Sequence, residues 1–99
     1  MKKENIDKIK LYKKAVKTWG YASQLLMAVE EMAELTQAIS HLLRDRNYAK
    51  SEIIEELADV EVMCEQLRVI IDKNDKIDKI KEEKLARLSE MLEETNDKK

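Results

Sequence analysis

The sequence predicts an all-α fold in which helical hairpins form a four-helix bundle completed by dimerisation, and three observations carry that expectation. Proline and phenylalanine are absent, glycine occurs once, and 40% of the residues are charged, a composition that suits helices with solvated outer faces. Apolar residues recur at alternating spacings of three and four along two central runs, QLLMAVEEMAELTQAISHLLRDR and SEIIEELADVEVMCEQLR. The chain has 99 residues, the size of one domain spanning 1–99. A domain so small buries only about 60% of its unfolded surface, so pairing with further copies would add core.

The first helix covers Asn5 to Lys17, where Ile6, Ile9, Leu11, Tyr12, Ala15 and Val16 make a stripe and Asn5 is placed to cap the start. Lys13, Lys14 and Lys17 read as solvated lysines opposite that stripe, with attraction of a phosphate as the alternative. The helix ends near Trp19-Gly20, because the only glycine supplies the permissive backbone a turn needs. Trp19 then serves either as a hydrophobic staple closing the turn or as a face on which a nucleobase stacks. Gln24 reads either as a surface glutamine or as a hydrogen-bonding partner for a base edge.

The two central helices run from Gln24 to about Arg44 and from Ser51 to about Lys73. Leu25, Val29, Met32, Thr36, Ile39 and Leu43 form one seam, and Ile53, Leu57, Val60, Cys64, Leu67 and Ile71 form the other. The short link makes the helices antiparallel neighbours. Seating Leu25 on Leu67, Val29 on Cys64, Met32 on Val60 and Ile39 on Ile53 then closes both seams at once. Ser51 is expected to cap the second of these helices, with Glu52 in its first turn. His41 reads as a surface or interface residue, and Arg44, Arg46 and Tyr48 as solvated loop residues. Asn74-Asp75 marks a break.

The apolar content of both helices exceeds one seam. Leu26, Ala33, Leu35 and Leu42 lie outside it on one helix, and Ile54, Ala58, Val62, Met63 and Ile70 on the other. A stripe this wide asks for a second packing surface, which a homodimer of hairpins would supply. The last helix, from Asp75 to about Glu94, sets Ile77, Ile80, Leu85, Leu88, Met91 and Leu92 on one side and Lys81, Lys84 and Arg87 at helical spacing. Those bases read as a solvated amphipathic face or as a grip on phosphate. The closing NDKK is expected to fray.

Bulk properties narrow the class of function. The formal net charge of −2 gives no sign of a nucleic-acid polymer or an anionic membrane as partner. The one cysteine, Cys64, has no partner for a disulfide and reads as a small buried apolar residue of the seam rather than a nucleophile. With no signal peptide and no apolar run of about 18 residues, the expected location is the cytoplasm.

Each central run also carries a pair of acids three residues apart: Glu31 and Glu34 with Glu30 beside them, and Glu56 and Asp59 with Glu55 beside them. Side chains at that spacing share a helix face, with Cβ atoms about 5–6 Å apart. The antiparallel register sets Glu34 against Asp59, so packing gathers four carboxylates on the flank of the seam. Like charges so close repel and raise one another's pKa, and a hard divalent cation removes the cost. Magnesium takes carboxylate and water oxygens and commonly completes its shell with phosphates, so the expected ligand is a phosphate chain. Acidic pairs at the same spacing at Glu4/Asp7, Glu52/Glu55 and Glu90/Glu93 look like ordinary solvated faces. What distinguishes the central pairs is their place beside the seam.

In that setting E-M-A-E (Glu31 to Glu34) followed by E-L-A-D (Glu56 to Asp59) resembles the ExxE…ExxD signature of the MazG-like all-α nucleoside triphosphate pyrophosphohydrolases. That superfamily also holds dimeric dUTPases and phosphoribosyl-ATP pyrophosphohydrolases. The wider frame, from Trp19 to Leu88, is similar to small stand-alone members from bacteria and their phages. The resemblance implies that Glu31, Glu34, Glu56 and Asp59 hold magnesium and that a nucleoside triphosphate is hydrolysed to the monophosphate and pyrophosphate. It implies that one of these carboxylates, or neighbouring Glu30 or Glu55, orients the attacking water, and it allows a homotetramer as well as a homodimer. Lys84 and Arg87 resemble the family's basic K-x-x-R element and are implied to bind phosphates. The asparagine that many relatives carry nearby has no counterpart, since Asn74 lies well upstream. The competing expectations are a non-catalytic helical-bundle interaction protein and a nucleotide-binding sensor.

Overall fold

The computed structural model describes residues 6–97, and every regular element among them is a helix: α1 (Lys8–Trp19), α2 (Tyr21–Leu43), α3 (Ala49–Ile71) and α4 (Lys76–Asp97). The expected cap Asn5 lies outside the described residues. Asp7 caps α1 instead, its carboxylate accepting from the Lys10 N–H at 3.2 Å. Gly20, at φ 95°, closes α1 by donating its N–H to the Val16 carbonyl at 2.8 Å. The chain enters α2 at the next residue. Only glycine adopts that φ without strain, so the break and the sharp change of direction come from one residue.

Between α2 and α3 the chain turns through Asp45 at φ 57°, and the N–H groups of Arg44 and Arg46 both return to the His41 carbonyl. α3 begins at Ala49, before Ser51, whose hydroxyl donates back to the Tyr48 carbonyl at 3.1 Å. Ser51 is therefore not the cap. Ala49, 0% exposed, seats the first turn of α3 against the body and starts the helix early. Glu52 lies in that first turn as expected, 2.7 Å from His41 Nδ1, and the His41 ring stands edge-on to Tyr48. His41, half-buried, thus pins the turn from the α2 side.

α1 lies against both members of the α2–α3 hairpin, whereas α4 meets α3 near its base, where Arg68 Nη2 donates to Asp78 Oδ1 at 2.8 Å. The buried row on α2 is Gln24, Ala28 and Ala38, with Glu31 and Leu35 half-buried at the same spacing. On α3 the buried residues are Ala49, Met63 and Gln66, with Ile53, Glu56, Val60 and Leu67 half-buried. The α3 row shares Ile53, Val60 and Leu67 with the expected seam. The α2 row is offset from it by one residue, about 100° around the helix. Val29, Met32, Ile39 and Leu43, expected inside, are 41–81% exposed. Cys64, expected to be buried, is exposed too. The reason is size: alanines at 28, 38 and 49 let the backbones approach closely, and the bulkier residues turn to an outer face.

α3 stops at Ile71, short of the expected Lys73, because Asp72 accepts the N–H groups of Lys76 at 2.8 Å and Ile77 at 2.9 Å and so belongs to the start of α4. α4 continues through Asn96 to Asp97, past the expected end at Glu94, and Lys98 and Lys99 lie outside the described residues. Among the described residues no helix is long and apolar enough to cross a membrane.

Candidate metal centre

The middle of the α2–α3 interface carries carboxylates rather than methyl groups. Glu31 follows Ala28 on the inward row of α2, and Glu56 lies between Ile53 and Val60 on that of α3, so helix packing draws both into the seam. Glu34 and Asp59, each three residues on, stay exposed at its edge. Ligand oxygens from all four lie within 4.8 Å of one another. The sequence placed the four on the flank of the seam; two of them are in it.

Electrostatics follow from that position. Burial first, then the charges of Glu34 and Asp59, push the Glu31 carboxyl above its ordinary range. Glu56 is pushed up in the same way, by burial first and then by Glu34, Asp59 and Glu31. One oxygen of each, Oε2, is buried with no hydrogen-bond partner. A buried polar atom without a partner is costly, and a cation on the shared oxygens would satisfy both at once. An all-oxygen donor set of carboxylates suits a hard divalent ion such as magnesium, so the residues present fit that metal.

The other sequence-derived candidates fall at different distances from this centre. Glu30 and Glu55 are exposed and stand outside the converging four. Trp19, 65% exposed, forms a wall of an open, mainly apolar slot of about 470 Å³ between α1 and α3, shared with Leu11, Ala15, Val62 and Gln66. Val62 and Gln66 follow Asp59 on the same face of α3, so the slot lies along the helix from the carboxylates. Gln24 is not a surface residue: it is 3% exposed and accepts at Oε1 from Gln66 Nε2 at 2.6 Å. Gln66, which the sequence reading passed over, is the one of the pair that lines the slot. The signal for Gln24 was its place at the head of the 24–28–31–35–38 row. Lys84 and Arg87 are exposed on α4 and make no ion pair among the described residues.

Between α1 and α3, the buried Tyr12 donates to Glu65 Oε2 at 2.5 Å, and Lys8 reaches Oε1 of the same carboxylate at 3.2 Å. The bond to Glu65, with burial, holds the Tyr12 hydroxyl up at about 12. This contact fixes α1, and hence the Trp19 wall, to the helix that carries Glu56 and Asp59. No protein-family model, curated protein or solved structure matches the chain.

Proposed function

We propose that the protein is a magnesium-dependent hydrolase that cleaves a nucleoside or deoxynucleoside triphosphate to the monophosphate and pyrophosphate. The observation that carries this reading is the convergence of four carboxylates from two helices, with two of their oxygens buried and unpartnered. The ExxE…ExxD spacing and its resemblance to MazG-like pyrophosphohydrolases name the reaction. Glu31 and Glu56 would hold the metal from inside the seam, and Glu34 and Asp59 from its open edge, facing the side from which a phosphate chain arrives. Bound magnesium supplies a Lewis acid that offsets phosphate charge and lowers the pKa of water. One of these carboxylates, or Glu30 or Glu55 beside them, orients the attacking water and takes its proton. Lys84 and Arg87 are the proposed phosphate-binding cations, and Trp19, with the Gln24–Gln66 pair behind the slot, the proposed base-binding wall.

Association of two copies belongs to the same proposal. Val29, Met32 and Ile39 of α2 and Leu57 and Ile71 of α3 form exposed apolar rows of the kind a second hairpin buries in a four-helix bundle. The assay is incubation with a panel of nucleoside triphosphates and magnesium, reading pyrophosphate. Release from at least one nucleotide is expected, and none from any of them would overturn the reading. The same apolar rows favour the second reading, a bundle-forming interaction protein that catalyses nothing. Magnesium separates the two: it should raise the melting temperature of the enzyme, more so with a non-hydrolysable nucleotide, and leave a scaffold unchanged. Stabilisation without turnover would mark a nucleotide sensor.

A further inference from the structure

The direction in which α4 leaves the body is set at its base. Asp72 accepts the first N–H groups of the helix, Arg68 pairs with Asp78 at 2.8 Å, and Asp75 makes the turn at φ 52°. Lys81, one turn on, shares an open groove of about 510 Å³ with Glu61 and Cys64 of α3 but pairs with neither. Beyond it α4 stands clear, with Leu85, Leu88 and Leu92 50–62% exposed. A helix of 22 residues is about 33 Å long, too long to be left with an apolar stripe in water. The charge on this stripe is positive: Lys81, Leu85, Leu88 and Leu92 follow steps of four, three and four, with Lys84 beside them, and Glu90, Glu93 and Glu94 face away.

α3 carries the matching row. Ile54, 68% exposed, Leu57, 43% exposed, and the exposed Glu61 follow one another by three and four, and Glu61 makes no ion pair among the described residues. Glu61 lies about 160° around the helix from Asp59, so cover on this row leaves the carboxylate cluster open. Antiparallel helices meet in opposite order. Lys81 on Glu61 then puts Leu85 on Leu57 and Leu88 on Ile54, since both rows step by four and then by three. The chain's own α4 does not offer this register. Carried along α3, its Arg68–Asp78 pairing would set Leu85 on Glu61 and Ser89 on Leu57, an apolar group on the charge and a hydroxyl on the apolar one.

We infer that α4 docks antiparallel on α3 of a second copy of this chain, Lys81 against Glu61, Leu85 against Leu57 and Leu88 against Ile54. Two-fold symmetry returns the contact, since both rows exist on both copies. The inference rests on the association proposed above, not on hydrolysis, and it names the helix that covers the Leu57 end of the exposed apolar face. Lys84 and Arg87 stay beside the contact and not in it. Both rows belong to this sequence, so a second copy satisfies charge and apolar area together.

The test puts one cysteine on each row of the full chain, after Cys64→Ser has removed the exposed native thiol. Leu57→Cys, isotope-labelled, is mixed with unlabelled Leu85→Cys and oxidised without nucleotide or magnesium. A disulfide needs Cα atoms within about 7 Å, so covalent pairs holding one labelled and one unlabelled chain are expected. Glu90→Cys, on the far side of α4, should not bridge to Leu57→Cys. The double variant Leu57→Cys/Leu85→Cys should give chains of doubled mass and no internally bridged monomer. In sedimentation Glu61→Lys should associate about tenfold or more weakly than wild type, and adding Lys81→Glu to the same chain should restore the dimer, which also shows that the variant folds. A monomeric wild type, no bridge between the two preparations, or a bridge within one chain would overturn the docking. A dimer that never bridges would leave α2 and the rest of α3 as the contact, and pyrophosphate release decides the hydrolase reading separately.

Discussion

Glu31 of α2 and Glu56 of α3 meet across the seam between the two longest helices, and each keeps Oε2 buried without a hydrogen-bond partner. Three residues further along each helix, Glu34 and Asp59 bring their own oxygens to the same point from the solvent side. Ala28 and Leu35 on α2 and Ile53 and Val60 on α3 close the seam above and below, and charge occupies its middle. An interface built this way is weakest where it is most acidic, and that weakness is the handle for most of what can be measured.

Neutralising a seam carboxylate should stabilise the metal-free protein. Glu31→Gln and Glu56→Gln each remove a charge that burial and the neighbouring carboxylates disfavour, so both variants should melt above wild type without divalent ions. Both should also lose most of the gain that magnesium gives wild type. Differential scanning fluorimetry with and without magnesium checks this. A wild-type melting temperature indifferent to the ion would contradict the metal reading of the cluster.

Glu34→Ala and Asp59→Ala should act on turnover with little effect on folding, because both side chains are exposed. Loss of groups that merely support a metal's ligands costs about 10- to 100-fold, so loss of a ligand should exceed about 100-fold in pyrophosphate release. Circular dichroism should show unchanged helicity. Activity within a few-fold of wild type in both variants would remove them from the site.

Gln24 and Gln66 should couple strongly in stability. Gln24→Leu strands the buried Gln66 amide and should cost about 1–3 kcal/mol in urea denaturation, whereas adding Gln66→Leu should recover much of that loss. Costs that simply add would mean the bond does not matter to the fold.

The clamp between Tyr12 and Glu65 predicts an alkaline transition. The Tyr12 hydroxyl is held up at about 12 in the folded protein, against 10 in the unfolded chain, so the stability it contributes is whole below pH 10 and is lost as the pH rises toward 12. Glu65 is held down, by Tyr12 first and Lys8 second, so its contribution is present above the ordinary value of 4.5 and lost as the pH falls through the depressed one. Trp19 sits at the end of the helix that Tyr12 anchors, and its fluorescence should report loosening of α1 between about pH 10 and 12. Tyr12→Phe should show no such step.

Trp19→Ala should weaken nucleotide binding and leave chemistry nearly intact. Stacking of one base is worth about 1–3 kcal/mol, so KM should rise about tenfold or more while kcat changes little. Equal kinetics in wild type and variant would make Trp19 a staple for the Gly20 turn and nothing else.

Helix content, the break at Gly20 and the two acidic pairs were legible because each depends on local chemistry: one glycine, no proline, and carboxylates three residues apart. The packing face of α2 was not. The large apolar residues at 25, 29, 32, 39 and 43, with Thr36 among them, follow the helical period as well as the inward row at 24, 28, 31, 35 and 38 does, and size decided between them. Gln66 escaped notice because a polar residue in a buried row carries no signal until its partner is known.

The sequence by itself determined that this chain is helical, where it turns and which four carboxylates can share an ion, since backbone propensity and short-range spacing act within a few residues. Tertiary structure alone decided that Glu31 and Glu56 lie inside the seam, that Gln24 is buried on Gln66, and that α4 stands apart with its apolar stripe open. Those outcomes depend on how closely two backbones can approach, and alanines far apart in the chain set that distance together.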